Sequence, residues 1–328
     1  MTVPATMKAA VIRQAGGPEV LQLETRPVPK PDEGQVLIQV KAFGLNRSEL
    51  FTRRGLSPGV PFPRILGIEA VGIVAAAPGG GFATDDIVAT AMGGMGRQFD
   101  GSYAEYVCVP ATQVQKIKTT LPWETLGAMP EMLQTAWGAL FNALQLKERD
   151  RLLIRGGTTS VGLAAAVIAK MHGAIVLATT RNPSRERLLR ENGADQVLID
   201  SGDIAGQVRE ICLNGVNKVL ELVGTTTLKD SLRSTCRHGV VCMTGMVGDQ
   251  WSFEQFSPMD SIPTAVSLTT YAGGAEDFMR TPLQSLADEV ATGTLRINIG
   301  RVFKLDDIVE AHRTMEANAA GGKIVVLT

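Results

Sequence analysis

Side chains that bind metal are scarce in this chain of 328 residues, and those present are scattered. The four cysteines, Cys108, Cys212, Cys236 and Cys242, form no C-x-x-C pair and no close cluster suited to a tetrahedral zinc site. The three histidines, His172, His238 and His312, form no H-x-x-x-H or H-x-x-E-H pattern. Each reads as a surface or helix-end residue, and metal-assisted catalysis is not expected. Long apolar runs are also missing. The longest, Val161 to Ala169, is half the length of a membrane span and ends at Lys170. The first residues, Met1 to Thr6, lack the basic and then apolar blocks of a secretory signal, so a cytoplasmic protein without membrane association is expected. Neither sign of charge dominates: 32 basic and 33 acidic residues leave a net charge of −1, with no block of like charge. Bulk attraction to nucleic acid or anionic lipid is therefore not encoded.

Two textures organise the chain. Residues 7–120 are short alternating or apolar runs punctuated by Gly, Pro and Asp, such as Met7 to Ile12, Gln35 to Val40 and Ala70 to Val74. These predict β structure. From about residue 121, helical stretches alternate with compact runs: Arg151 to Ile154, Ala174 to Ala178, Gln196 to Ile199, Lys218 to Leu222 and Gly239 to Met243. Their spacing of roughly 20–25 residues is that of β-α-β units with strands buried on both faces. After about residue 266 the mixed texture returns, ending in a helix over Leu305 to Ala317 and a strand over Lys323 to Leu327. The pattern predicts an α/β protein in which residues 123–265 form a nucleotide-binding domain, inserted between 1–122 and a remainder, 266–328.

The informative segment is Arg151 to Arg187. An apolar strand runs straight into Gly156-Gly157-Thr158-Thr159-Ser160-Val161-Gly162 and then into a helix over Leu163 to Lys170. Small residues there let the backbone approach a pyrophosphate, and the helix start offers it free N–H groups and a positive dipole end. Gly162 and the alanines let the helix lie close on the sheet, and Gly173 suits a left-handed helix end. The bland alternative is a tight strand-to-helix turn with no ligand. Strand, turn, helix and second strand in register favour the ligand.

The second strand ends Thr179-Thr180-Arg181-Asn182, with Arg185 close behind. An NAD enzyme usually carries an acid there for the ribose hydroxyls. Here a hydroxyl (Thr180) and two guanidinium groups (Arg181, Arg185) could pair with a 2′-phosphate, which points to NADP(H). Val223, Gly224, Gly245 and Met246 fall at the carboxyl ends of later strands, where the nicotinamide half of a dinucleotide crosses an open sheet.

These residues lie in order within a longer series of matches. Met7 to Val11, Gly34 to Ile38, Gly44-Leu45-Asn46-Arg47-Ser48-Glu49-Leu50, Pro63 to Gly72, Gly101 to Val107, Thr135-Ala136-Trp137, Ala311-His312-Arg313 and Gly322 to Val325 flank the phosphate turn. Together they make the chain resemble the medium-chain dehydrogenase/reductase superfamily, most closely its zinc-free quinone-oxidoreductase branch, from Met7 to Thr328. The resemblance implies a GroES-like β domain plus a Rossmann-type, doubly wound parallel-sheet domain. It implies a homodimer joined through the edge of the nucleotide domain around Ser267 to Ala272. By analogy, Asn46, Thr135, Gly162, Thr180, Arg185, Gly245 and Lys323 fall at or near cofactor-contacting positions.

Departures narrow the chemistry. Zinc-dependent relatives place Cys at Asn46 and His at Ile68, and their four-cysteine lobe is replaced here by the glycine-rich residues 91–101. Without a Lewis acid, alcohol oxidation loses its main electrostatic aid, and a quinone or α,β-unsaturated carbonyl receiving hydride from NADPH suits the site better. Tyrosines common in such reductases are here Phe51 and Ser57, so proton delivery falls to Ser57, Arg47, Arg53 or water. Asn46 could hold a ribose or substrate oxygen through its amide. The expectation is a zinc-independent, NADPH-dependent quinone or enone reductase. Two alternatives stand beside it: an enoyl or alkenal reductase of the same fold, and a catalytically silent NADPH-binding sensor or structural dimer.

Overall fold

In the computed structural model, which describes residues 3–328, the chain divides into two units. The first comprises residues 1–134 and 273–328, and the second Thr135 to Ala272.

Unit one opens with β1 (Thr6–Ile12), β2 (Gln22–Pro27), β3 (Gln35–Gly44), the short helix α1 (Arg47–Arg53), β4 (Arg64–Ile65), β5 (Glu69–Ala76), β6 (Ile87–Ala91), β7 (Tyr106–Pro110) and β8 (Val114–Lys116). Helices α2 (Trp123–Gly127) and α3 (Pro130–Gly138) follow. The last four residues of β1 and most of β3 are buried, as fits strands flanked on both sides within their sheets.

Unit two follows a strict alternation: β9 (Arg151–Arg155), α4 (Ser160–Met171), β10 (Ile175–Thr180), α5 (Glu186–Glu191), β11 (Gln196–Ile199), α6 (Ala205–Ile211), β12 (Val216–Glu221), α7 (Thr225–Arg233), β13 (Thr235–Met243), α8 (Pro258–Ser261) and β14 (Ser267–Thr270). Its six strands run in the order β11-β10-β9-β12-β13-β14, every pair parallel. Neighbouring residues of β10 face opposite ways: Leu177 packs with Leu153, Val219 and Val241, whereas Ala178 packs with Leu163 of α4 and Leu189 of α5. The sheet is thus covered on both faces, which is the doubly wound arrangement, and its strand order reverses between β9 and β12.

The chain then returns to unit one through α9 (Ala275–Arg280), α10 (Leu283–Ala291), β15 (Ile299–Lys304), α11 (Ile308–Glu316) and β16 (Lys323–Leu327). β16 pairs antiparallel with β3, placing Val325 opposite Gly44 and Leu327 opposite Ala42. The main sheet has the order β15-β16-β3-β5-β6-β8, with β7 also on β3, and β2-β1-β4 form a second sheet.

The domain limits expected at 122/123 and 265/266 are corrected at both ends. Helix α2 belongs to unit one, since its buried Leu126 and Gly127 lie against β3 and β16, the latter supplied from the far end of the chain. Strand β14 belongs to unit two, pairing with β13 from Val240–Ser267 to Met243–Thr270. Its four residues, Ser-Leu-Thr-Thr, are exposed at both ends and carry no apolar run to announce them.

Candidate functional site

In unit two the expected turn forms at the carboxyl end of β9. Gly156 takes φ +84° and donates its N–H to the Thr179 hydroxyl at 3.1 Å, while Gly157 N–H reaches the Thr179 carbonyl at 3.1 Å. Thr159 caps α4 by accepting the Gly162 N–H at 3.0 Å. A Cβ on Gly162 would lie 2.7 Å from the Gly156 oxygen and 2.8 Å from that of Gly157, so only glycine lets the helix start fold back on the turn. Gly156, Gly157, Thr158, Thr159, Ser160, Val161 and Gly162 therefore form one small-residue bend opening a twelve-residue helix.

Beneath it, Arg155 is wholly buried. It grips Asp200 with two hydrogen bonds of 2.8 and 2.9 Å and Asp230 with one of 2.6 Å. Burial alone would weaken its charge; the hydrogen bonds and charges of Asp200, with Glu221 and Asp230, more than restore it.

At the end of β10, the buried Thr180 hydroxyl accepts the Asn182 N–H at 3.1 Å, and Asn182 in turn caps the Pro183–Arg185 turn through Ser184 N–H at 3.0 Å. Four arginines follow within ten residues. Arg187 pairs with Glu191 at 2.7 Å and Arg190 with Glu186 at 2.9 Å. The guanidinium groups of Arg181 and Arg185 hold no carboxylate among the described residues. Thr180, Arg181 and Arg185 are thus gathered beside the β9 turn, with two cations uncommitted.

Val223, Gly224, Gly245 and Met246 meet at the ends of β12 and β13. Gly224 takes φ +109°, and a Cβ there would lie 3.2 Å from the Gly245 oxygen. The loop is held by the buried Glu221, which accepts Val223 N–H at 2.7 Å, Gly224 N–H at 3.0 Å and the Ser231 hydroxyl at 2.5 Å. Burial raises the Glu221 pKa, and the Ser231 and backbone hydrogen bonds oppose the rise. Thr135 lies within α3 as the first residue of unit two.

In unit one, Asn46 and Lys323 come together, but inside the unit. Asn46 caps α1, and both ends of its amide are engaged: Nδ2 donates to Glu69 at 2.9 Å and to Glu49 at 3.4 Å, while Oδ1 accepts from the Lys323 ammonium at 2.5 Å. Lys323, 2% exposed, also pairs with Glu69 at 2.8 Å and Glu131 at 3.7 Å. Burial would lower its pKa, but Glu69 and Glu131 raise it. Glu49 goes the other way for an acid: burial and the neighbouring Glu69 charge push it up to about 8. Of the Asn46 amide, expected to hold a ribose or substrate oxygen, both Nδ2 hydrogens and one oxygen lone pair are thus engaged within the fold.

The other candidate proton donors differ in exposure. Arg53 is fully buried on Glu316 and presents no guanidinium to solvent. Arg47 binds Asn318 at 2.7 Å. Phe51 is buried, and Ser57 shares a hydrogen bond of 2.8 Å with Thr52. His312, expected near the surface, is buried with Nε2 3.0 Å from the Tyr103 hydroxyl; burial and the Arg53 charge lower its pKa to about 3. Among the described residues no three His, Cys, Asp or Glu side chains converge as a metal set.

Several functional positions escaped sequence reading. Glu49 carried a readable signal, the Asn-x-x-Glu spacing of a capping box. Glu69 was legible only as an acid opening an apolar strand. Arg155 at the end of β9, Asp200 just after β11 and Asp230 within α7 meet from three separate elements and have no local signature.

A GroES-like β unit interrupted by a doubly wound parallel-sheet unit defines a two-domain oxidoreductase. Family comparison agrees: the alcohol dehydrogenase GroES-like domain matches residues 32–119, and the zinc-binding dehydrogenase domain matches residues 192–326. The quinone oxidoreductase of Pongo abelii is 28% identical over 335 residues, covering 98% of each chain. A mycobacterial protein solved with NADPH is 27% identical with a TM-score of 0.86, over 98% of this chain and 100% of that one. A quinone oxidoreductase from Pseudomonas syringae pv. tomato gives 25% identity and a TM-score of 0.89, over 98% and 100%. The chain belongs to the medium-chain dehydrogenase/reductase superfamily, in its quinone-oxidoreductase branch.

Proposed function

We propose that this oxidoreductase uses NADPH to reduce a quinone or an α,β-unsaturated carbonyl, without a metal. The carrying observation is the pair of uncommitted guanidinium groups, Arg181 and Arg185, beside a glycine bend at the strand-order reversal. The solved mycobacterial relative, which holds NADPH, supports the same reading.

The residues fit the cofactor. Gly156 to Gly162 would cradle the pyrophosphate against the positive end of α4, with Thr179 holding the bend from below. Arg181, Arg185 and Thr180 would take the 2′-phosphate, and Val223, Gly224, Gly245 and Met246 would line the nicotinamide half, held by Glu221. Bound NADPH supplies a hydride. Asn46 and Lys323, joined by a hydrogen bond, fix the start of α1.

A catalytic zinc does not fit. Ile68 and the Asn46 amide offer no ligand of the usual kind, and of the two carboxylates beside them Glu49 accepts the Asn46 and Ile68 N–H groups while Glu69 carries the Lys323 ammonium. Ser57 and solvent are the proton sources left, which suits acceptors whose reduced anion is readily protonated by water.

The test is NADPH oxidation by purified protein against a naphthoquinone, an enone and an enoyl thioester. Turnover of the first two carries the proposal. Turnover of the thioester alone would assign an enoyl reductase instead. Tight NADPH binding with no turnover would identify a silent binding protein. We further propose a homodimer formed along the edge strand β14, whose Ser267 and Thr270 are exposed.

A further inference from the structure

Glu221, the last residue of β12, ties together the loop ends read above as the nicotinamide side of the cofactor site. Its carboxylate accepts the N–H groups of Val223 and Gly224 at 2.7 and 3.0 Å. Its main-chain oxygen accepts those of Thr244 and Gly245 at 2.9 and 3.2 Å. The second carboxylate oxygen accepts the Ser231 hydroxyl at 2.5 Å. Only donors face the group, the pattern that suits an ionised carboxylate. Burial pushes its pKa up, and the Ser231 and backbone hydrogen bonds, with the Arg155 charge, oppose the rise.

Glu221 is completely buried, yet it makes no ion pair among the described residues. Arg155, the cation whose charge acts on it, is already committed to Asp200 and Asp230. Its Nη1 lies 3.4 Å from the Ser231 hydroxyl, which stands between the two residues. One enclosed guanidinium therefore faces three carboxylates. Arg233, also on Asp230, is largely exposed and screened by water. Holding the loop does not require a charge, because a neutral amide oxygen would accept the same two N–H groups. A buried carboxylate without an ion pair is costly, so the charge itself calls for a role.

We infer, on the reading of this loop as the nicotinamide side of the site, that the Glu221 charge favours the oxidised, positively charged nicotinamide over the neutral reduced ring and so strengthens bound NADPH as a hydride donor. Every residue involved belongs to unit two. On reduction of the acceptor, a C–H bond of the dihydronicotinamide breaks and its hydrogen leaves with both electrons. The ring is left positive, and the reduced acceptor takes its proton from solvent. A fixed negative charge beneath Val223 and Gly224, out of water, attracts the charge that develops and is indifferent to the neutral ring. Glu221 acts through the loop it holds, as a positioning residue. The phosphates and adenine are common to both forms of the cofactor, so their contacts cancel in the ratio of the two affinities.

The experiment is titration of purified wild type, E221Q and E221D with NADP+ and with NADPH, followed by protein fluorescence. E221Q keeps an acceptor for both loop N–H groups and removes the charge. Its Kd for NADP+ should rise about tenfold while that for NADPH stays within about twofold. E221D keeps the charge on a shorter arm, so both affinities should fall together with their ratio nearly unchanged. A role confined to holding the loop predicts equal losses of both forms in E221Q as well, and that result overturns the inference. If E221Q does not fold, S231A, which withdraws a donor favouring the ionised carboxyl, is measured at about pH 6. The NADP+ to NADPH ratio of Kd values should then rise about twofold or more, and an unchanged ratio overturns the inference. Wild type that binds neither dinucleotide defeats the cofactor reading itself. Wild type that binds both, with a ratio indifferent to E221Q, defeats the inference alone.

Discussion

The Asn46 side-chain oxygen accepts a hydrogen bond from the Lys323 ammonium at 2.5 Å, joining the start of α1 to the last strand of the chain. The same ammonium neutralises Glu69, which is completely buried. Replacing Lys323 by Met would leave that carboxylate without its counter-charge. A loss of about 3–5 kcal/mol is expected in urea unfolding, against about 1–2 kcal/mol for N46A, which removes hydrogen bonds but no charge.

Glu49 and His312 give opposite pH signatures. Glu49 titrates near 8 in the fold against 4.5 as a free side chain, so the folded protein holds its proton longer. Its contribution is fully favourable below about pH 4.5 and is lost as pH rises through 8. E49Q should therefore gain stability relative to wild type between pH 5 and about pH 9, measured by urea midpoints at each pH.

His312 titrates near 3 in the fold against 6.5 free, so the folded state favours the neutral ring. Its contribution is present above about pH 6.5 and is lost as pH falls towards 3. H312N, compared with wild type by thermal unfolding, should show a shallower decline over that acid range.

Changing Arg181 and Arg185 together to Ala should weaken NADPH binding about 10- to 100-fold while leaving NADH affinity nearly unchanged. The Arg187–Glu191 and Arg190–Glu186 pairs remain to hold α5, so the fold should persist. Fluorescence titration with both cofactors checks this. Equal losses for the two would assign the arginines to structure.

A Cβ at Gly245 would lie 2.5 Å from the Leu222 oxygen, backbone against backbone. G245A should therefore push apart the ends of β12 and β13 and weaken binding of either nicotinamide cofactor at least tenfold, read by the same titrations.

How much of this was legible depended on whether the signal was local. The bend Gly156 to Gly162 announced itself because strand, small residues and helix are contiguous. The strands of unit two likewise read as apolar runs. Strand β14 did not, being four polar or half-exposed residues whose pairing comes entirely from β13. His312 looked like a helix-end histidine because nothing nearby in sequence records Tyr103, its buried partner. The contact between Asn46 and Lys323 is equally unwritten in the sequence, because the two residues are far apart along the chain and meet only in the fold.

The return of the last strand to β3 also dictates an order of events during synthesis. Unit two is one uninterrupted stretch, so its sheet can close once Ala272 has left the ribosome. Unit one cannot close then, because β16 is still unmade and Glu69 awaits the lysine that neutralises it. The nascent protein therefore carries a closed unit-two sheet attached to an open β scaffold, and synthesis of β16 completes the scaffold's charge balance and its sheet together.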